Sequence, residues 1–312
     1  MSELATAGVV PVRRPRDGFR WLTLAVGLVV PAVLLLVTLV LVQQSMPSIR
    51  HSGLGFLFAV NWNPVKNDFG ALTFIYGTVV TSALALLMAL PVGVGIAIFL
   101  AEPGAGRLRG GIGIGVELLA AIPSVVYGLW ALYVMAPFVL LHLEKPLAES
   151  LGSRVGIFAG PARLTNLFAA SLVVAVMILP TLAAISREVI RAVPGGLREA
   201  GFALGATWWE VIWKVVLPAA RAGIFGATVL ALGRALGETI AVTMVIGNRP
   251  EIAGRLFAPA YTIASVIANE FTEATGQLYS AALIELGLVL VLLTLMVNLA
   301  ALLLVRRSTL TG

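Results

Sequence analysis

Six runs of apolar residues constrain this chain more than any other feature of its sequence. A helix of about 20 apolar residues crosses the ~30 Å hydrocarbon core of a bilayer, and each run reaches that length. Hydrophobic residues make up 59% of the chain and charged residues only 12%, whereas about 25% are charged in an ordinary soluble domain. The sequence therefore predicts an all-α integral membrane protein. The predicted spans are residues 21–42, 72–100, 112–141, 167–186, 223–246 and 282–305.

The arginines and lysines between these spans predict the orientation of the chain. Thirteen of them lie on the side that holds both termini, against seven on the other side. By the positive-inside rule, both termini are cytoplasmic. The first run is too long for the apolar core of a signal peptide and has no small-residue cleavage site after it, so it counts as a membrane helix. The outer loops are then 43–71, 142–166 and 247–281, and the last includes an apolar stretch, 258–271, that predicts a short external or re-entrant helix.

Enzyme chemistry finds little support in the residues. The chain has no cysteine and two histidines, both outside the apolar runs, so no cluster with metal-ligand spacing is visible. None of its three lysines follows a glycine, which excludes a phosphate-binding P-loop. We expect no catalytic residue, no metal and no cofactor bound by this chain. A polytopic membrane enzyme would need paired acids, a nucleophile or a cofactor loop, and none is present.

The segment between spans four and five combines two short amphipathic stretches. Pro194 and the two glycines after it end the preceding helix, Gly205 supplies a flexible break, and Pro218 stops the second stretch or opens span five. Charged residues alternate there with leucines, a phenylalanine and three tryptophans. Taken alone, this pattern also fits an interfacial anchor.

This segment resembles the cytoplasmic loop of permease subunits of bacterial ABC importers. The family pattern is E-A-A, three residues, G, nine residues, I-x-L-P. The matching positions here are Glu199, Ala200, Gly201, Gly205, Val215, Leu217 and Pro218. Gly201 replaces the second alanine and Val215 the isoleucine. The resemblance implies a type I permease-like bundle in which this coupling loop (residues 187–221) docks on a partner ATPase subunit that binds ATP and Mg.

Span five carries two charges inside the membrane. Arg234 and Glu238 are four residues apart, which predicts that they share one face of a helix, with Thr239 beside them. A charge near the bilayer centre costs several kcal/mol unless it faces a polar cavity or a partner. Arginine is permanently charged and suits oxyanions, so an anion path is favoured over a structural ion pair.

Span three contains Pro123 and Ser124 in its middle, with Glu117 about two turns earlier. A proline in a membrane helix frees a carbonyl group, which is tolerated only where protein or water satisfies it. The sequence predicts a kinked helix that lines the path, with simple packing as the alternative. Pro31, Pro91 and Pro180 also lie in apolar runs, so proline alone is weak support.

The phrases at residues 122–130 and 234–239 resemble those of phosphate-specific ABC importer permeases, over about residues 70–307. That resemblance implies phosphate translocation past Arg234 and Glu238. It also implies a second, homologous permease chain, two ATPase subunits, an external phosphate-binding protein and a bacterial inner membrane. The chain then divides into a basic cytoplasmic tail (1–20), a first helix with an external loop (21–71), the permease domain (72–307) and a cytoplasmic C-terminus (308–312). The alternatives are a permease for sulfate or molybdate and a secondary anion carrier, which would lack the coupling loop.

Overall fold

The computed structural model of the protein describes residues 17–102 and 106–310. These residues are mostly helical, and six of the helices are long and apolar enough to cross a membrane, which confirms the predicted fold class. Most of the predicted basic tail and the last two residues lie outside the described ranges. The helices are α1 (Asp17–Ser52), α2 (Gly55–Phe58), α3 (Leu72–Ala101), α4 (Gly106–Ala121), α5 (Ser124–Leu151), α6 (Leu167–Arg191), α7 (Gly195–Ala203), α8 (Trp208–Leu236), α9 (Ile240–Val245), α10 (Ile263–Glu270) and α11 (Gln277–Leu310). A two-stranded hairpin, β1 (Trp62–Asn63) and β2 (Asp68–Phe69), precedes α3.

The most extensive helix pair in the bundle is α3 against α6. One face of α3 carries a small residue every fourth position, and all of them are buried: Ala85, Ala89, Gly93 and Ala97. A Cβ atom at Gly93 would lie 2.7 Å from Cδ2 of Leu182 on α6, so the glycine is required for the close approach. Lipid competes for apolar surface, and membrane helices therefore associate mainly through such close backbone packing.

Separate apolar clusters close the two ends of the bundle. At one end, Phe56, Phe69 and Phe74 pack with α10 and α11. The carboxylate of Glu270 fastens this end, because it accepts hydrogen bonds from Nε1 of Trp62 (2.8 Å) and the hydroxyl of Tyr279 (2.7 Å). At the other end, Ile190 of α6 packs against the start of α8. Helix α10 falls inside the stretch 258–271, where the sequence predicts a short helix.

Helix α1 lies at the edge of the bundle. It packs mainly against α11, and its apolar side chains from Phe19 to Val40 are largely exposed on the isolated chain. Such a surface is suited to lipid. With 36 residues, α1 is about 54 Å long and continues beyond the predicted end at residue 42.

The third predicted span is wrong in its boundaries. The sequence predicts one kinked helix over 112–141, but α4 ends at Ala121 and α5 begins at Ser124, with Pro123 in an extended conformation (φ −61°, ψ 145°). The residue before a proline is pushed out of the helical region, and here it is the β-branched Ile122. Helix α5 then continues to Leu151, through two π-helical stretches, Ala131–Met135 and Leu140–Glu144, into the predicted outer loop.

The fifth predicted span, 223–246, is also corrected. Helix α8 starts at Trp208, within the coupling loop, and passes through a π-helical stretch, Ile212–Val216. Pro218 lies inside α8, just after this π-helical stretch, so neither predicted role is observed: it does not stop the second stretch, and span five begins before it. The helix ends at Leu236 with Gly237 as its C-cap, and α9 begins three residues later.

Candidate functional site

Arg234 lies in the last turn of α8, and its side chain is exposed on the isolated chain. The C-terminal end of a helix carries partial negative charge, which favours a cation there. No carboxylate among the described residues comes within the 4.0 Å of an ion pair with Arg234. The surface of the bundle therefore presents this guanidinium outwards, towards lipid, a second chain or a polar path.

Glu238 does not share a helical face with Arg234, contrary to the sequence prediction. The C-cap at Gly237 places Glu238 between two helices, where its Oε1 accepts a hydrogen bond from the backbone N–H of Ala241 (3.4 Å) at the start of α9. Thr239 also serves this junction, since its hydroxyl donates to the carbonyl of Gly237 (3.1 Å). The predicted i, i+4 pair does not form, because it requires one unbroken helix from Arg234 to Glu238 and the helix ends at Leu236.

The carbonyl group that Pro123 leaves without a helical donor is satisfied by a side chain that the sequence did not single out. Proline has no N–H, so the carbonyl of Leu119, four residues earlier, lacks its helical donor. The hydroxyl of Tyr127 donates a hydrogen bond to that oxygen at 2.7 Å. Ser124, half-buried, opens α5, whereas Glu117 is exposed on α4.

The two helix breaks lie close together in space. Gly128 of α5 packs against α9, because a Cβ there would meet Sδ of Met244 and Cα of Ala241. Arg234 is near enough to both Tyr127 and Glu238 for its charge to act on them. Interrupted membrane helices whose free ends meet a charged side chain are the usual construction of ion and substrate sites in transporters.

The predicted coupling loop, residues 187–221, begins in the last residues of α6 and consists mainly of α7 and the first turns of α8. Gly205 has a positive φ of 79° in the turn between them. Gly201 is buried, and a Cβ there would lie 3.0 Å from Cγ2 of Val211, so an alanine would require a small shift of that side chain. Thr207 starts α8 with a capping box, in which its backbone N–H bonds to Glu210 (3.0 Å). Glu199 and Ala200 are exposed, and so are several large apolar side chains: Leu197, Phe202, Leu204, Trp209 and Trp213.

Arg198 anchors this loop to the bundle, and the sequence analysis missed its role. Its Nη2 and Nε contact Oε1 of Glu102, just past the end of α3, at 3.1 and 3.2 Å. The same guanidinium donates to the carbonyls of Ile190, in the last turn of α6, and Val193, just past its end (2.8 and 2.7 Å). A glutamate directly after an apolar span was the available signal.

No group of three or more histidine, cysteine, aspartate or glutamate residues that could hold a metal occurs within 17–102 and 106–310. The described site thus consists of charged and hydroxyl side chains at helix ends.

The fold is that of a membrane permease subunit of ABC importers. A chain of the bacterial ABC transporter that imports the polysaccharide alginate aligns over 93% of this chain and 97% of its own length, with a TM-score of 0.59 and 19% identity. A chain of the inward-facing MetNI methionine ABC transporter covers 76% of this chain and 96% of its own length, with a TM-score of 0.56 and 20% identity. At these identities the likeness concerns the fold alone.

The sequence family described as "binding-protein-dependent transport system inner membrane component" matches residues 93–309, and the chain belongs to it. Among its relatives, the phosphate transport system permease protein PstC of Mesorhizobium japonicum is 47% identical, over 94% of this chain and 91% of its own length. PstC 1 of Mycobacterium tuberculosis is 40% identical, over 99% of this chain and 98% of its own length.

Proposed function

We propose that this chain forms half of the membrane path of an ATP-driven phosphate importer in the bacterial inner membrane. The PstC relatives at 40–47% identity support the substrate, and the family supports a binding-protein-dependent mechanism. The other half is a PstA-like permease chain, two PstB-like subunits bind ATP and Mg and hydrolyse the ATP, and a PstS-like protein delivers phosphate from outside.

The single observation that carries the proposal is the position of Arg234. A guanidinium facing lipid at a helix break would be very costly, so its exposed side must face a polar path or the second permease chain. A positive charge there lowers the barrier that a low-dielectric path presents to a multiply charged anion. Glu238 offers an acceptor for the proton that phosphate carries and ionised sulfate lacks.

The coupling loop supplies the link to ATP hydrolysis. Its exposed leucines and aromatic side chains form an apolar surface next to exposed Glu199, which fits docking into a groove of a partner subunit. Arg198 joins that surface to α3 and α6, so a movement of α7 is transmitted to both helices.

The test is phosphate uptake measured alongside the amount of assembled complex in the membrane. Arg234→Gln should abolish uptake while leaving the complex intact, and Arg234→Lys should retain part of the uptake because it keeps the charge but not the planar fork. Arg154→Gln, which removes an exposed arginine elsewhere, is the matched control. Near-normal uptake by Arg234→Gln would refute the path role, and loss of the complex would indicate a structural role. Competition by sulfate and molybdate against phosphate tests the substrate itself.

A further inference from the structure

A cluster of three arginines lies at the end of the bundle opposite the coupling loop. A cavity of about 100 Å³ opens there between the segment that precedes α6 and the segment that follows α9. Three arginines and one glutamate line it: Arg163, Arg249, Arg255 and Glu251. None of the three guanidinium groups forms an ion pair with any side chain in the described part of the chain.

The backbone around this cavity is held rigidly. Leu256 donates its N–H to the carbonyl of Ile157 (2.9 Å), and Arg249 donates its N–H to the carbonyl of Ala260 (3.2 Å). Phe257 is buried beneath the cavity and contacts the rings of Phe158 and Phe168.

Asn166, the N-cap of α6, fixes the segment that carries Arg163 on the other side of the cavity. Its side-chain amide donates to the carbonyl of Arg163 (2.6 Å) and to the carboxylate of Glu144 on α5 (2.8 Å). The arginines thus project from a braced surface, which reduces the entropy lost when an anion binds.

The chemistry of the lining selects a small oxyanion. Three unpaired guanidinium groups attract an anion and bind its oxygens through charge-assisted hydrogen bonds. The cavity holds one small ion with a few water molecules and is too small for a nucleotide. Glu251 adds an acceptor, which is useful only to an anion that carries a proton, as phosphate does near neutral pH.

The cavity is connected to the helix breaks by α9. The segment that bears Arg249 follows directly from α9, and Nδ2 of Asn248 bonds back to the carbonyl of Thr243 at 2.8 Å. At six residues, α9 is about 9 Å long, and its other end is capped by Glu238.

We propose that Arg163, Arg249, Arg255 and Glu251 form a receiving site for protonated phosphate at the outer mouth of the path, separate from Arg234. This inference rests on the proposed orientation and substrate. Phosphate released outside is held at this site before it moves past α9 to the helix breaks.

The absence of cysteine allows a direct test in the assembled complex. Ala253→Cys and Ala159→Cys each place a single thiol in the cavity lining, and Ser153→Cys places one on the same loop outside it. Labelling by a membrane-impermeant maleimide is timed in intact cells with millimolar inorganic phosphate, sulfate, or chloride at equal ionic strength. Labelling of Ser153→Cys reports the orientation independently.

We expect phosphate to slow labelling at positions 253 and 159, but not at 153, and sulfate to protect less. Losing one charged hydrogen bond should raise the protecting phosphate concentration about tenfold in Arg255→Gln or Arg249→Gln, with no change in Arg154→Gln. Glu251→Gln should make sulfate and phosphate equivalent. Arg234→Gln, which should stop uptake, should leave protection unchanged and so separates this site from the path residue.

Three results would overturn the proposal. The first is that phosphate gives no protection. The second is that protection persists in the variant that carries both Arg249→Gln and Arg255→Gln. The third is that protection appears only when the phosphate-free binding protein is added. The last result would instead make the cluster a docking surface for that protein.

Discussion

At the scale of single residues, Tyr127 shows how a helix break is made tolerable in a membrane. Removing its hydroxyl leaves the carbonyl of Leu119 without a donor, at a cost of about 1–3 kcal/mol. Tyr127→Phe should therefore shorten the half-life of the purified complex on heating, while Tyr133→Phe, which changes an exposed tyrosine of the same helix, should not. Equal half-lives would show that water or another group satisfies this carbonyl.

Gly205 tests the coupling loop at the same scale. Its φ of 79° is costly for a β-branched residue, by about 1–2 kcal/mol, so Gly205→Val should distort the turn between α7 and α8 and uncouple transport while the chain still inserts. Gly196→Val is the matched control, because that glycine has open space around it and no positive φ. Phosphate uptake and co-purification of the ATPase are the measurements. Normal values of both for Gly205→Val would remove the loop from the coupling mechanism.

The sequence predicts candidate site residues, whose roles stay predictions, more readily than it predicts their geometry. Arg234 was recognisable because a charge inside an apolar run is costly, whatever the surrounding fold. Its relation to Glu238 was mispredicted because Gly237 can lie within a helix or end one, and only tertiary packing decides which. Pro123 raises the same ambiguity, since Pro91 and Pro180 lie inside continuous helices.

At the scale of secondary-structure elements, the contact between Arg198 and Glu102 joins α7 to the end of α3. The side chains of these residues are only 19% and 7% exposed, so breaking the pair leaves a charge with little solvent, which costs about 3–5 kcal/mol. Arg198→Gln and Glu102→Gln should each lower the stability of the complex and weaken the dependence of ATP hydrolysis on bound phosphate-binding protein.

A double-mutant cycle separates this coupling from the other bonds of Arg198. The effects of the two changes should be strongly non-additive, by about 1–3 kcal/mol. The solvent-exposed pair Glu210 and Lys214 on α8 is the control, because water and salt screen such a pair and its two changes should be nearly additive. Additive effects at Arg198 and Glu102 would mean that the contact transmits nothing.

The sequence predicts the membrane-spanning helices but not the side-chain contacts that join one helix to another. The spans follow from the thickness of the bilayer, which sets a minimum length that the apolar runs of α3 and α6 clearly meet. A pair such as Arg198 and Glu102 is separated by 96 residues, and no local periodicity reports a contact at that distance.

At the scale of the whole molecule, the arrangement of the chain across the membrane is a prediction to be measured. Lys145, within the predicted outer loop 142–166, lies inside α5, so a better reporter is Ser153 beyond the end of that helix. Ser153→Cys should react with an impermeant maleimide from outside, and Ala192→Cys, exposed just past the end of α6 and not one of the docking side chains, only after the cells are opened. The reverse pattern would invert the orientation and place both termini outside.

The stripe of small residues on α3 has a consequence for how the protein is made. Its partner α6 ends about 90 residues later in the chain, and ribosomes add about 5–20 residues per second, so α3 waits roughly 5–20 s for it. During that interval Ala89 and Gly93 face lipid or the insertion machinery, and no packing holds α3 at its final tilt. The most extensive helix pair of the described bundle is thus absent during early biogenesis, although α3 is apolar enough to stay in the membrane without it.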